Sequence, residues 1–514
     1  MTFELLICNG TVIDGTGRTP GFQADVGICG DRIEAIGDLS QVEADTVIDA
    51  MGHIVCPGFI DVHVHSEIAL LTGVHRYAEV QQGITTQLLT PDGFGWTGLS
   101  PERTRELWTY TRFSVGEVDI PIGWQTPEDY LRLFPNNSAA NVYPQVPHCA
   151  VRLSACGWDA RPATDDEIAR MSDLTRQWME AGAGALNLGL DYQPSANADF
   201  RELVALCKVT AEYGGIYAAH VRYHTIGRVA AWEETIALSR AANIPVHISH
   251  ERVNDENADL LERIEREDID LTFESYLYPA GMTHLYMMLP MKFQVGSPDE
   301  VNARLEDPEV RAESVAELKT WLGRGDQIVG YTGSGRYTGE RLSDLAARAN
   351  TSLEDFAYDL IFQEREDHAV IFPWQIDPEV AEQTVTRTAT HPRMMIASDG
   401  IFNIPHPHPR GFGCFARVLG HFVRERGLLT FEEAIYKMSG FPARRFNIPD
   451  RGELAVGKAA DLVVFDPDTV AARSTFENPT LPPVGISHVF VNGQSVIANG
   501  EPTGALPGQV LRRV

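Results

Sequence analysis

Short apolar segments alternate with amphipathic helical segments along the middle of this chain, and no other feature restricts the possible folds as strongly. Such alternation is typical of βα units, whose parallel strands form one buried sheet. Eight strand candidates lie at residues 59–65, 84–90, 150–155, 185–190, 216–220, 245–250, 270–275 and 394–399. Helical segments lie between them, including residues 165–181, 199–213 and 257–266. We therefore predict an α/β fold whose strands close into a (β/α)8 TIM barrel.

The two ends of the chain carry a different pattern. Residues 1–56 and 447–514 contain short alternating segments separated by glycine turns, as at residues 461–466. This pattern predicts β-strands. Because it flanks a long middle segment, we predict a small β-sandwich domain built from both termini and a barrel domain at 57–446. Residues 281–385, between strands seven and eight, are too many for a simple connection and predict an insertion or lid.

The acidic composition excludes one class of partner. With 71 Asp and Glu against 42 Lys and Arg, the formal net charge is −29, which does not favour binding to nucleic-acid phosphates.

No stretch has the roughly 18 to 20 apolar residues of a membrane span, and the N-terminal segment does not resemble an export signal. Seven scattered cysteines fit reduced thiols. We expect a cytoplasmic protein that binds neither nucleic acid nor membrane, with the formation of a homo-oligomer left open.

Histidines stand at the ends of several predicted strands. His63 and His65 end strand one, and because alternate residues of a strand share a face, both imidazoles should point the same way. His220 ends strand five, His250 ends strand six and Asp399 ends strand eight. Each of these residues alone is compatible with a structural role. At one rim of a closed barrel, where such enzymes keep catalytic groups, together they predict a zinc hydrolase site.

These residues lie in motifs that resemble the amidohydrolase superfamily, in particular its D-aminoacylase (N-acyl-D-amino-acid deacylase) branch. The motifs are Pro57-Gly58-Phe59-Ile60-Asp61-Val62-His63-Val64-His65, Gly83-Ile84-Thr85-Thr86, Ala219-His220-Val221-Arg222, Ile248-Ser249-His250 and Ala397-Ser398-Asp399-Gly400. The resemblance extends over almost the whole chain. It implies the barrel, the β-sandwich and one or two zinc ions. It places His63, His65 and Asp399 at one metal position, and His220 and His250 at the other.

One position departs from the family's pattern. In that branch the segment after Gly-Val-Thr-Thr supplies a metal-binding cysteine, whereas this chain has Asp92 within Thr90-Pro91-Asp92-Gly93. A carboxylate is a normal zinc ligand and can bridge two ions, which makes Asp92 a sixth candidate ligand. Pro-Asp-Gly is also a strong turn sequence, so a purely structural role stays open. Arg222-Tyr223-His224 stands where the family usually has an acidic residue, which leaves the substrate range open.

The resemblance also implies substrate contacts. Tyr192, Arg252 and Arg410 fall where the family places groups that bind the carboxylate of a small anionic substrate. Arginine suits bidentate recognition of a carboxylate, although each arginine is equally compatible with an ordinary ion pair.

The activity implied by the resemblance is hydrolysis of N-acyl-D-amino acids or related small N-acyl carboxylates. Metal-activated water would attack, and Asp399 would act first as general base and then as general acid. Two alternatives stay open: another hydrolase of the superfamily that acts on cyclic amides, hydantoins or imides, and a metal-free scaffold without catalysis. A serine nucleophile is disfavoured because Gly333-Ser334-Gly335 lies in the predicted insertion and no nucleophile elbow is evident.

Overall fold

The computed structural model describes residues 2–117, 119–375 and 377–513. Its strands, numbered in chain order, are β1 (Phe3–Val12), β2 (Phe22–Cys29), β3 (Arg32–Gly37), β4 (Ala44–Asp49), β5 (Ile54–Pro57), β6 (Phe59–Asp61), β7 (Val64–His65), β8 (Ile84–Leu88), β9 (Asn141–Tyr143), β10 (Val146–Pro147), β11 (Ala185–Gly189), β12 (Ile216–His220), β13 (Val246–Ile248), β14 (Leu271–Ser275), β15 (Ala280–Thr283), β16 (Ile328–Thr332), β17 (His368–Pro373), β18 (Met394–Ile396), β19 (Gly400–Ile401), β20 (Leu462–Phe465), β21 (Ile486–Val491), β22 (Gln494–Ala498) and β23 (Glu501–Pro502).

The α-helices, also in chain order, are α1 (Glu67–Thr72), α2 (Pro101–Tyr110), α3 (Arg112–Val115), α4 (Pro127–Leu131), α5 (His148–Cys156), α6 (Asp165–Glu180), α7 (Phe200–Glu212), α8 (Arg228–Ala242), α9 (Ala258–Arg266), α10 (Pro298–Arg304), α11 (Pro308–Leu322), α12 (Leu342–Ala349), α13 (Leu353–Glu364), α14 (Pro378–Thr390), α15 (Arg410–Arg417), α16 (Phe431–Met438) and α17 (Gly440–Arg445). A π-helix at Val418–Glu425 extends α15. Among the described residues, none of the helices combines the length and the apolar character needed to cross a bilayer.

The barrel strands pair in parallel and close into a ring. Pairing runs from β10 through β11, β12, β13 and β14 to β18, while β6 pairs with β8 and β8 with β9. The first and last barrel strands meet where β7 pairs with β19. There the Asp399 amide donates a hydrogen bond to the His63 carbonyl at 2.8 Å. The chain therefore forms the (β/α)8 TIM barrel that the sequence pattern predicts.

The third barrel strand lies earlier than the sequence pattern suggests. Residues 150–155, one of our strand candidates, are helical and belong to α5. The strand position is filled by β9 and β10, which are separated by Pro144 and Gln145. A short apolar segment does not distinguish a strand from a buried helix, and proline conceals the true strand because it interrupts the strand pattern.

Helix boundaries follow from local capping. The Thr164 hydroxyl accepts a hydrogen bond from the Glu167 amide, and the Glu167 carboxylate accepts one from the Thr164 amide, so a capping box starts α6. Asp199 caps α7 in a similar way through the Glu202 amide. The buried faces of these helices, with Ile168 and Trp178 among their residues, cover the outside of the barrel.

Both ends of the chain contribute to one nine-stranded sheet. Its order is β23-β22-β21-β20-β5-β1-β2-β3, with β4 also paired to β1. The two ends join where β20 pairs antiparallel with β5, with Leu462 opposite Pro57. Ile7, Val26 and Phe490 share one apolar core in this small β domain. Because β5 leads directly into β6, the sheet also anchors the first barrel strand.

A packed α/β subdomain is inserted after the seventh barrel strand. Its antiparallel sheet has the order β15-β17-β16, and helices α10 to α13 lie in the same segment. Leu285, Leu318, Leu345 and Ile361 belong to an apolar cluster separate from the barrel core. Helix α14 then leads back to β18. The inserted subdomain contributes one side of the large cavity described below.

Candidate metal centre

His63, His65 and Asp399 meet at the rim where the first and last barrel strands close. The Nε2 atoms of His63 and His65 lie 3.6 and 3.4 Å from Asp399 Oδ1. These three side chains come from two strand ends that are far apart in the sequence. Their ligand atoms lie close enough together to bind one metal ion.

Asp92 lies between this group and the histidines of strands five and six. Its Oδ1 atom is 3.6 Å from His63 Nε2 and 3.7 Å from His250 Nε2. Its other oxygen, Oδ2, is 3.7 Å from His65 Nε2. His220 Nδ1 in turn lies 3.1 Å from His250 Nε2. The six candidate ligands thus form one continuous cluster, with the Asp92 carboxylate at its centre.

The backbone of the Asp92 loop is built to hold this carboxylate inward. Thr90 and Asp92 have φ angles of 60° and 53°, in the left-handed region that aspartate tolerates better than most residues. A Cβ on Gly93 would lie 2.7 Å from the Asn187 carbonyl oxygen. Glu67 Oε1 accepts a hydrogen bond from the Thr90 amide at 3.1 Å. Asp92 is only 3% exposed, unlike the residues of an ordinary surface turn.

Glu274, which sequence analysis did not identify, orients two of the histidines. Its Oε1 lies 3.0 Å from His63 Nδ1, and its Oε2 accepts a hydrogen bond from the His250 amide at 2.5 Å. A proton on His63 Nδ1 leaves the Nε2 lone pair facing Asp92 and Asp399. The available signal was a carboxylate within β14, a strand whose residues are all buried.

Asp191, also missed from the sequence, does the same for His220. Its Oδ2 lies 3.1 Å from His220 Nε2, and its carboxylate accepts hydrogen bonds from the His224 amide and the Thr225 hydroxyl. With the Nε2 proton held by Asp191, His220 Nδ1 presents a lone pair towards His250. Asp191 immediately precedes Tyr192, so its position after β11 was the only signal in the sequence.

The electrostatics of the cluster favour a bound cation. Burial lowers the pKa of His63, but the carboxylates of Asp92, Glu274 and Asp399 outweigh burial and raise this pKa to about 10. Burial raises the pKa of Asp92, yet the neighbouring histidines hold it well below its usual range. These shifts show that the buried carboxylates stabilise a nearby positive charge. Such a group of carboxylates is suited to binding a metal ion.

Arg410 reaches the site and contacts a candidate ligand. Its Nη1 lies 2.9 Å from Asp399 Oδ2, and its guanidinium lies over the Tyr276 ring at 4.4 Å. Burial raises the pKa of Asp399, but Arg410 and the nearby histidines bring it well below its usual range. In the structure, Arg410 therefore forms an ion pair with Asp399 inside the cavity. From the sequence alone, we expected Arg410 to contact the substrate.

Arg252 is the less satisfied arginine at the site. Its guanidinium stacks on the Trp374 ring at 3.4 Å. Its Nε atom is buried without a hydrogen-bond partner, and no carboxylate within the described chain forms an ion pair with it. Burial lowers its pKa to about 10. Tyr192 lies nearby in the cavity wall, with its ring 4.9 Å from that of His220.

The cluster opens into a cavity of about 740 Å³. His65, Asp92 and Asp399 line its barrel side, while Trp321 and Trp374 line it from the inserted subdomain. A cavity of this size suits a small molecule, and the polar groups needed for hydrolysis converge at one end.

Comparison with known proteins gives consistent results. A sequence model of the amidohydrolase family matches residues 361–497. D-aminoacylase from Alcaligenes xylosoxydans xylosoxydans is 35% identical over 99% of this chain and 98% of its own length. N-acyl-D-glutamate deacylase from the same organism is 34% identical over 99% and 96%. The crystal structure of N-acyl-D-glutamate deacylase from Bordetella bronchiseptica, complexed with zinc and a phosphonate mimic of the tetrahedral intermediate, superposes with a TM-score of 0.83 at 33% identity, covering 100% of both chains.

Proposed function

Because the chain belongs to the D-aminoacylase branch of the amidohydrolase family, we propose that it hydrolyses the amide bond of N-acyl-D-amino acids. The observation that carries the proposal is the cluster of four imidazoles and two carboxylates at the base of a cavity that also contains Arg252, which forms no ion pair with the residues described. The ligand cluster would supply the hydrolytic chemistry, and the guanidinium of Arg252 would contact a substrate carboxylate.

The residues present fit a zinc site. His63 Nε2 and Asp92 Oδ1 are buried and have no hydrogen-bond partner among the residues described, although they face each other at 3.6 Å. Unsatisfied buried polar atoms are costly unless a ligand occupies the space between them. His63, His65 and Asp399 would hold one ion, and His220 and His250 a second. Asp92, which lies between the two groups of histidines, would help to hold both ions. A bound ion would lower the pKa of water and polarise the scissile carbonyl.

Asp399 is the proposed catalytic base. Its pairing with Arg410 at 2.9 Å keeps the carboxylate ionised at neutral pH, and its side chain faces the cavity. It would take a proton from the water as the oxygen bonds to the carbonyl carbon. The same proton would then pass to the leaving nitrogen as the C–N bond breaks, which regenerates the carboxylate.

Arg252 and Tyr192 are the proposed substrate contacts. A guanidinium that is desolvated and unpaired gains more from a substrate carboxylate than one already in an ion pair. No observation favours the alternatives left open by the sequence. A cyclic imide lacks the free carboxylate that Arg252 would bind, and a scaffold without catalysis has no need for the complete ligand cluster.

We also infer a reducing compartment, which fits a cytoplasmic location. The seven cysteines are free thiols, and five of them are buried. Such thiols persist in reducing surroundings.

The proposed function is tested by measuring metal content and amide hydrolysis together. Purified protein is analysed for zinc, stripped with a chelator and reconstituted, and each form is assayed with N-acetyl-D-, N-acetyl-L-amino acids and hydantoins. We expect hydrolysis of the D-derivatives that is lost with the metal and restored with zinc. The His63→Ala, His65→Ala double variant should lose both. Full turnover by that variant, or a preference for hydantoins, would contradict the proposal.

A further inference from the structure

Arg222 is a buried arginine to which the proposed reaction assigns no role. It follows His220 by two residues, and its side chain is only 7% exposed. Its Nε donates a hydrogen bond to the Glu234 carboxylate in α8 at 3.0 Å. A guanidinium has five N–H donors, and this ion pair uses only part of them. The terminal nitrogens are therefore free to hold another part of the chain.

These terminal nitrogens bind the loop between β11 and α7. Nη1 of Arg222 donates to the Ala196 carbonyl at 2.7 Å, and Nη2 donates to the Ala198 carbonyl at 2.5 Å. A longer contact of 3.5 Å joins Nη1 to the Leu190 carbonyl. One side chain thus spans the loop from its beginning almost to its end.

The same loop carries two residues of the proposed site, Asp191 and Tyr192. The Ala196 amide donates to the Tyr192 carbonyl at 2.7 Å, so the turn that Arg222 holds begins at Tyr192. Asp191 accepts hydrogen bonds from the Thr225 amide and hydroxyl at 3.1 and 2.7 Å. Thr225 lies on the same segment as Arg222. Side chains of the loop and of this segment therefore join the two to each other.

This junction lies between a candidate metal ligand and a candidate substrate contact. His220 ends β12, immediately before the segment that carries Arg222, whereas Tyr192 lies on the loop. The rings of His220 and Tyr192 are 4.9 Å apart. Because a displacement of about 1 Å at such a contact strongly impairs catalysis, the position of the loop relative to β12 matters for the reaction.

We propose that Arg222 is a positioning residue that, together with Thr225, fixes the loop carrying Asp191 and Tyr192 against the metal-binding end of β12. The role of Tyr192 in this inference rests on the proposed function, whereas the orientation of His220 by Asp191 requires only metal binding. Arg222 acts from outside the cavity wall. A planar guanidinium suits this task because it binds several acceptors in fixed directions, which the single ammonium group of a lysine does not reproduce.

Arg222→Lys tests the inference because it keeps the positive charge beside Glu234 but removes the additional donors. We expect the zinc dissociation constant, measured by competition with a chromophoric chelator, to rise about tenfold as Asp191 holds His220 less firmly. KM for N-acetyl-D-amino acids should also rise, because Tyr192 is displaced. In Arg222→Ala, guanidinium chloride at non-denaturing concentrations should restore part of both losses, whereas sodium chloride at the same ionic strength should not.

Arg445→Lys is the matched control. The Arg445 side chain is also 7% exposed, pairs with Asp270 at 2.5 Å and donates to the Val246 carbonyl. These contacts lie at the amino ends of β13 and β14, opposite the candidate ligands. The replacement should lower thermal stability but leave zinc affinity and KM unchanged.

Wild-type zinc affinity and KM in Arg222→Lys, or equal changes of both in Arg445→Lys, would overturn the inference. If Arg222→Lys does not fold, Thr225→Val removes only the hydroxyl bond to Asp191 at 2.7 Å and keeps the shape of the side chain. We then expect a smaller rise in the zinc dissociation constant, and an unchanged constant refutes the inference. If the wild-type enzyme hydrolyses no N-acyl-D-amino acid, the proposed function fails, while zinc affinity still decides the role of Arg222.

Discussion

Replacing Glu274 by glutamine should weaken metal binding without removing any candidate ligand. Glu274 accepts two hydrogen bonds, from His63 Nδ1 at 3.0 Å and from the His250 amide at 2.5 Å. Glutamine has one acceptor oxygen. If that oxygen faces the His250 amide, the new NH₂ group faces His63 Nδ1 and favours the tautomer whose proton is on Nε2. The Nε2 lone pair is then no longer available to a metal.

The magnitude follows from this count of hydrogen bonds. One charge-assisted bond is lost, which is worth about 1.5 to 3 kcal/mol. Second-sphere partners of metal-binding histidines typically change metal affinity by about 10- to 100-fold. We therefore expect Glu274→Gln to raise the zinc dissociation constant by about that factor, measured by competition with a chromophoric chelator on metal-free protein. Glu274→Asp, which keeps the charge, should lose less if its shorter side chain reaches one partner.

Glu202→Gln is the matched control for this experiment. Glu202 is also a fully buried carboxylate, but it pairs with His148 and Arg152, and among the described residues none of its hydrogen bonds or ion pairs involves a candidate ligand. Its replacement should lower thermal stability but leave zinc affinity unchanged. Wild-type zinc affinity in Glu274→Gln, or an equal loss of affinity in Glu202→Gln, would refute the orienting role of Glu274.

The remaining predictions concern individual members of the site. Asp92→Asn should lose metal and most activity, and Asp92→Cys should recover zinc; unchanged metal content and rate in Asp92→Asn would make the residue a turn former only. Arg410→Ala should move the acidic limb of the kcat/KM profile to higher pH, because Arg410 lowers the pKa of Asp399 and its loss lets that pKa rise; a limb that stays in place or moves to lower pH contradicts the pairing. Arg252→Ala should lower kcat/KM for N-acyl-D-amino acids by about 10- to 100-fold, the value of a charge-assisted contact, but affect neutral N-acyl amides much less; equal losses for both classes would mark Arg252 as structural.

The sequence predicts most of the barrel because its strands are short apolar segments that alternate with amphipathic helical segments. Strand β12 occupies the residues predicted for strand five, and His220 stands at its end. The third strand was missed because Pro144 lies between β9 and β10 and Pro147 ends β10, while the neighbouring helix α5 is apolar enough to resemble a strand. Periodicity thus identifies a buried segment but does not always identify its type.

The candidate site was predictable to the extent that its residues lie at strand ends. All six candidate ligands converge, because strand ends meet at one rim in a parallel barrel. Glu274 and Asp191 were not predictable in the same way. Their effect depends on which nitrogen of a histidine they face, and this follows only from packing. The pairing of Arg410 with Asp399 also depends on the final position of α15.

The pairing of β20 with β5 has a consequence for the order in which this protein matures during synthesis. The strand that bears His63 and His65 continues from β5, and β5 lies between β1 and β20 in the sheet. A ribosome synthesises β20 only after all of the barrel segments, so the edge of β5 stays open while those segments emerge. Contacts this distant in sequence form slowly, and exposed strand edges are prone to aggregation. We therefore expect the metal-binding rim to be completed only after β20 has been synthesised.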